Sequence, residues 1–353
     1  MPGPRDSLTD VGGLLVGHHH AIDSDATLGA GAATGCTVVR TLGGATAAVD
    51  VRGGGPGTRE TDLLDSSNSV QQVNAILLTG GSAYGLAAAD GVMRWLEEHG
   101  HGIAMGTPDQ VVPIVPAAVI FDLPVGDWAI RPDAEFGYRA CVAASAEFAV
   151  GSVGAGVGAR AGVLKGGVGT ASTVIDGGPA DGVTVAALIV ANPVGSVFDP
   201  RTGLPWGVGT EGAQAFGMRK PDVHHLWNAN ALAPKGTALN TTIGVVATDV
   251  ELTAASCKRL AVAGHDGLAR AIRPAHSPLD GDTIFALSTG TRSVVTEASV
   301  PKAFAKDLPV LDAVCAVAAN VVERAIVRAV LDATTVAGIP TYRATFPSAF
   351  SRS

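Results

Sequence analysis

Residues 183–191 read Val-Thr-Val-Ala-Ala-Leu-Ile-Val-Ala and run into Asn192-Pro193-Val194-Gly195. The run is far shorter than the ~20 apolar residues a helix needs to cross a bilayer. Its Val and Ile content suits a buried strand, and Asn-Pro is a turn signal that ends it. Further strands are predicted over 36–40, 45–51, 74–79, 116–121, 242–248 and 283–288. Helices are predicted over 84–98, 253–271 and 311–333. In the first of these Leu86, Ala89, Met93 and Leu96 share one face, and in the last Val314, Val317, Val321 and Ala325 recur at helical spacing. The mixed order of strands and helices, without strict βαβ alternation, predicts a layered α+β fold.

Composition narrows the partners. Charged residues make up 16% of the 353, and the net charge is −8. With an isoelectric point near 5.5, the chain has no basic field to collect phosphates, so no nucleic-acid partner is expected. The apolar content of 47% argues against disorder. No basic-then-apolar leader opens the chain, so a cytoplasmic protein without a membrane partner is expected. Cys36, Cys141, Cys257 and Cys315 form no C-x-x-C pair and read as buried, reduced thiols. Within 151–169 a Gly stands at nearly every second or third position, with Val and Ala filling the gaps. That pattern fits close backbone packing near a site better than a linker. Residues 211–239, with Pro221, His224, His225, Asn228, Asn230, Pro234 and Gly236, read as an exposed loop.

Several motifs carry less than they suggest. Gly80-Gly81-Ser82-Ala83-Tyr84-Gly85 follows a strand and opens a helix, but its G-x-S-x-x-G spacing is one residue too long for a hydrolase nucleophile elbow. Its amides are better suited to holding an anion or carboxylate. His18-His19-His20 cannot all point at one ion from a strand, and no metal site is expected. Asp280-Gly281-Asp282 lacks the oxygen ligands of a calcium loop and reads as a turn before a strand. Asn240-Thr241-Thr242 begins a strand after a flexible stretch. A cut before Thr241 would leave one residue with both a hydroxyl and an α-amine, nucleophile and base together; the amine's pKa near ~8 suits that work close to neutral pH.

Taken together, Asp50-Val51-Arg52-Gly53-Gly54, Gly80–Gly85 with Leu86, Ala191-Asn192-Pro193-Val194-Gly195, Asn240-Thr241-Thr242 and Asp280-Gly281-Asp282-Thr283 resemble the S58 peptidase family. That family holds self-processing aminopeptidases of the D-aminopeptidase/esterase type, β-peptidyl aminopeptidases and nylon-oligomer hydrolases. The resemblance implies a four-layer αββα sandwich and a single domain, 1–353, that cuts itself into 1–240 and 241–353. It also implies homotetramers of processed protomers, with no cofactor. Thr241 would attack the Asn240 carbonyl and later the substrate amide, and Asn192 would donate to the oxyanion. Lys165 would orient or activate Thr241, Asp280 and Asp282 would hold the nucleophile and its ammonium, and Ser82, Tyr84 and Phe121 would meet the substrate.

Asp280-Gly281-Asp282 and Thr241 match the nylon-oligomer branch, whereas Phe121 stands where that branch carries a Tyr and offers no phenol to donate. The expected activity is therefore hydrolysis of small amide or peptide substrates. Two rivals stand beside it. One is an acyltransferase of the ornithine acetyltransferase type, whose Lys-Gly-rich signature is missing at Gly236-Thr237-Ala238-Leu239. The other is an uncut binding protein that holds an anion on the 80–85 amides.

Overall fold

The computed structural model describes residues 1–209, 211–232, 239–294 and 300–350. Nine strands form one continuous hydrogen-bonded system: β1 (Leu14–Ile22), β2 (Ala33–Val51), β3 (Thr58–Arg59), β4 (Gln72–Thr79), β5 (Ala117–Val119), β6 (Gly167–Val174), β7 (Thr184–Ala191), β8 (Ile243–Val250) and β9 (Thr283–Arg292). Their order is β6-β7-β8-β9-β2-β4-β5-β3, with β1 on the other edge of the first half of β2. The two predicted strands at 36–40 and 45–51 are thus one 19-residue strand. Its register against β4 slips between Arg40 and Ala45. Gly44, at φ +83° in a region that side chains avoid, lies in the slip.

That irregularity turns one hydrogen-bonded system into two faces. The second half of β2 pairs with β9 and the first half with β1 and β4. Val39, Ile76 and Leu78 from one half meet Leu188, Val245, Phe285 and Leu287 from the other in a shared core. Alternate residues face outward, because side chains alternate across a strand. Val185, Ile189, Val246 and Ile284 pack under α4 (Ala254–Ala271) and α5 (Leu308–Leu331). Cys36, Val38, Ala75 and Leu77 pack under α1 (Ala88–Glu98) and α2 (Ala134–Val142). The layers read α, β, β, α, as the resemblance implies.

Helix boundaries follow their caps. Thr253 accepts the Ser256 amide and starts α4. The predicted 84–98 helix divides into a 3₁₀ segment, Ser82–Ala87, and α1. Helices α2 and α3 (Val223–Asn230) were not anticipated, β1 was implied only at His18–His20, and α3 replaces part of the loop expected at 211–239. Pro234, Gly236, Thr237 and Ala238 lie outside the described residues.

The glycine-rich segment packs as its composition suggests. A Cβ on Gly169 would stand 2.1 Å from the Ala325 carbonyl oxygen, so α5 lies directly on the β6 backbone. Among the described residues no helix is long and apolar enough to cross a membrane. The four cysteines are free, and burial pushes the thiols of Cys141 and Cys257 up to about 12, which keeps them protonated.

Candidate active site

Strands β8 and β9 are parallel, with Ile243 opposite Thr283, so the residues just ahead of each emerge side by side. Antiparallel β7 ends there too, with Val190 opposite Ile243. This topology brings Asn192, Thr241, Asp280 and Asp282 to one end of the sheet.

Backbone bonds lock the group. The Thr241 amide donates to the Asn192 carbonyl at 3.0 Å, and Asn240 bridges Asp280 in parallel register. The Thr241 hydroxyl lies against the carbonyl oxygen of Asn240, to which it donates. The same oxygen accepts the Gly281 N–H at 3.2 Å. A Cβ on Gly281 would stand 2.9 Å from Thr241 Oγ1, so a glycine is what lets the 280–282 loop approach the hydroxyl.

The Asp50–Gly54 motif now has a structural role. The amides of Arg52 and Gly53 donate to the Asp282 carbonyl at 2.9 and 3.3 Å, and the Gly55 amide donates to the Asp280 carbonyl at 2.9 Å. This strand end therefore grips the 280–282 backbone. Asp50 itself is held by Arg52 at 2.7 Å and Lys258 at 2.8 Å.

The two carboxylates differ in their surroundings. Asp282 accepts the Thr242 amide at 2.8 Å on one oxygen. Its other oxygen accepts both the His276 amide at 3.0 Å and His276 Nδ1–H at 2.9 Å. Asp280 accepts the Val194 amide at 3.1 Å on Oδ1, while its buried Oδ2 has no hydrogen-bond partner among the described residues. Burial, with the Asp282 charge adding to it, raises the Asp280 carboxyl to about 6.

Asn192 is fixed from both ends. Its Oδ1 accepts the Arg160 amide at 2.8 Å, and its Nδ2 donates to the Phe121 carbonyl at 3.3 Å. Phe121 thus supplies a backbone acceptor to the site, and its ring meets Trp128 edge-on at 6.2 Å. Lys165 is fully buried and donates from Nζ to the carbonyls of Gly156 at 2.8 Å and Gly166 at 2.7 Å.

Tyr84 is exposed beneath the Arg131 guanidinium, 4.0 Å from its ring. Ser82 sits at φ +52° with its amide on the Ile120 carbonyl. The first three amides of the anion cradle expected at 80–85 are taken. Gly80 N–H donates to Gly35 O at 2.9 Å, Gly81 N–H to Asp122 Oδ1 at 2.6 Å, and Ser82 N–H to Ile120 O at 3.0 Å. The amides at the start of this segment already have internal acceptors.

The three adjacent histidines diverge as expected. His18 bonds Thr37 at 2.9 Å, His19 meets the Phe136 ring, and His20 accepts the Gly154 amide at 3.3 Å. His276 and its neighbour His265, rings 4.8 Å apart, escaped the sequence reading. His276 joins Asp282 only through the fold of the 273–280 loop, which carries no local periodicity to betray it.

A Burkholderia sp. beta-aminopeptidase superposes with a TM-score of 0.72 at 23% identity, covering 98% of this chain and 92% of that one. The L-aminopeptidase D-Ala-esterase/amidase of Ochrobactrum anthropi, described as a variant of the Ntn hydrolase fold, gives 0.69 at 23% identity, covering 94% and 88%. The architecture is therefore that variant of the Ntn hydrolase fold.

The sequence profile of peptidase family S58 matches residues 6–343, and the chain belongs to that family. An uncharacterized aminopeptidase of Mycobacterium tuberculosis is 58% identical over 349 residues, 98% of this chain and 99% of that protein. A 6-aminohexanoate-oligomer endohydrolase of Kocuria sp. is 34% identical over 260 residues, 72% and 69% of the two chains. Family membership makes the protein a hydrolase of amide bonds.

Proposed function

We propose that the chain is a precursor that cuts its own Asn240–Thr241 bond into 1–240 and 241–353. The new N-terminal Thr241 then hydrolyses small amide or peptide substrates through an acyl-enzyme. The observation that carries this is the Thr241 hydroxyl lying against the carbonyl of the bond to be cut, while Gly281 N–H donates to that carbonyl oxygen.

In the first step Thr241 Oγ1 adds to the Asn240 carbonyl carbon, and its proton leaves to a base. The tetrahedral oxyanion forms where Gly281 N–H already points. The C–N bond then breaks, the Thr241 nitrogen takes a proton, and an ester joins Asn240 to Oγ1. Water hydrolyses that ester, leaving a carboxylate on Asn240 and a free amine and hydroxyl on Thr241.

The freed α-amine serves as base for its own hydroxyl in the second reaction. Asp280 Oδ2, buried with an acceptor to spare, suits the ammonium form of that amine. Asp282, pinned by Thr242 and His276, holds the start of β8 in register. Asn192 would turn its Nδ2 toward the substrate oxyanion, and Lys165 would orient Thr241. Phe121, Tyr84 and Ser82 would line the approach. The activities named for the two relatives, aminopeptidase and 6-aminohexanoate-oligomer endohydrolase, suit a substrate with an amine near the scissile amide.

The deciding experiment is a denaturing mass spectrum of the purified protein with Thr241→Ala in parallel. Two chains ending and beginning at 240/241 in the wild type, one intact chain in the variant, and amidase activity confined to the cut protein are expected. Cleavage in the variant refutes the proposal.

A further inference from the structure

Helix α3 opens with Asp222 ahead of its first turn, followed by Val223, His224 and His225. Adjacent side chains on a helix point about 100° apart. Here the two imidazoles nonetheless converge: their Nε2 atoms are 3.0 Å apart, with ring centroids 3.9 Å apart and planes tilted by 47°. A carboxylate oxygen of Asp222 completes a set of three ligand atoms that all lie within 4.8 Å of one another.

The spacing suits shared coordination. Two nitrogens bound at ~2.1 Å are about 3.0 Å apart on adjacent corners of an octahedron and about 3.4 Å apart on a tetrahedron, and imidazole ligands favour ions such as zinc and nickel. One imidazole is also held from behind. His225 Nδ1 lies 2.7 Å from Ser348 Oγ, which also accepts the Asp222 amide at 2.9 Å. Ser348 is itself anchored through its carbonyl by Arg219 Nε at 2.9 Å. With Nδ1–H donated to the serine, the His225 Nε2 lone pair is left facing His224. Metal-bound histidines are oriented in this way by an outer hydrogen bond.

We propose that Asp222, His224 and His225 bind one divalent transition-metal ion of the zinc and nickel type, with water filling the remaining positions. Two imidazoles against one carboxylate favour such an ion over magnesium or calcium, which take oxygen ligands. Asp222 and His224 are exposed, so an ion reaches the site without opening the fold. The proposal does not depend on the role of Thr241.

The test is calorimetric titration of the untagged full-length protein with zinc chloride, with magnesium chloride as the comparison. One equivalent of zinc and no magnesium heat are expected. His224→Ala and Asp222→Asn should each weaken zinc binding at least about tenfold, and Ser348→Ala, which touches no ion, by about tenfold. Thermal melts of metal-free His224→Ala and Asp222→Asn should match the wild type, because both side chains are exposed. Absence of zinc binding at millimolar concentration, or undiminished binding in a His224→Ala/His225→Ala double variant, overturns the proposal.

Discussion

Replacing Gly281 with Ala tests the proposed chemistry with one methyl group. The backbone of Gly281 is not in the left-handed region, so alanine is permitted there and the neighbours alone oppose it. Its Cβ would stand 2.8 Å from the Gly55 carbonyl oxygen, 2.9 Å from Thr241 Oγ1 and 3.0 Å from Pro56 Cα, where ordinary contact begins at 3.4 Å. Relief requires movement of about half an ångström. The Gly55 side yields little, because the Gly55 amide is bonded to the Asp280 carbonyl. The displacement therefore falls on Gly281 and on the Thr241 hydroxyl. The Gly281 N–H bond to the Asn240 oxygen, at 3.2 Å already long, is lost with it.

Losing one oxyanion donor costs ~10²–10³-fold in rate, and misplacing a nucleophile by ~1 Å costs about 10²-fold. The two losses share one cause, so we expect self-cleavage about 10²-fold slower rather than their product. The assay is the uncut fraction against time after synthesis, read by denaturing mass spectrometry, with a thermal melt to show that the variant folds. Gly55→Ala is the matched control, since its Cβ would find just the Asp280 oxygen, at 3.9 Å. It should cleave at the wild-type rate. A folded Gly281→Ala protein that cleaves within threefold of wild type refutes the role given to this loop.

Acid should act on the two reactions at different pH. Asp280, raised to about 6 by burial and by Asp282, is protonated below that pH and ionised above it. If its carboxylate takes the Thr241 proton, self-cleavage rises about tenfold per pH unit up to roughly 6 and then levels off. After the cut, the Thr241 ammonium favours the carboxylate and lowers its pKa, so the acid limb of amidase activity should fall below that of cleavage. Coincident limbs, or an unchanged limb in Asp280→Asn, would sink this assignment. His276 is a positioning residue acting through Asp282: His276→Ala should lower kcat about tenfold at constant KM, the loss of one charge-assisted hydrogen bond. His276→Asn, which keeps a side-chain donor near the Nδ1 position, should recover most of it, and equal loss in both variants would exclude that role.

Legibility divided along a physical line. The buried strand at 183–191, the helices at 253–271 and 311–333 and the ends of β8 and β9 were readable because each imposes a local period or composition on its own residues. The site motifs were readable for the same reason, being short and contiguous. What stayed hidden depends on pairing between distant segments. Residues 36–40 and 45–51 each look like an ordinary strand, and only their partners β4 and β9 reveal one strand shared by two faces. Helix α2 and the start of α3 are short, and their apolar stripes are too brief to stand above a loop.

The occupied amides of the anion cradle were hidden on the same ground, since nothing at 80–85 announces that Gly35, Ile120 and Asp122 will take those of Gly80, Ser82 and Gly81. His276 and Gly281 make the point at the site itself. One reaches Asp282, and the other the bond before Thr241, through a loop whose course is set by the grip of residues 52–55 on the backbone at 280–282. The side chains proposed to do chemistry stand in short motifs of the sequence, whereas the backbone that aims them required the fold.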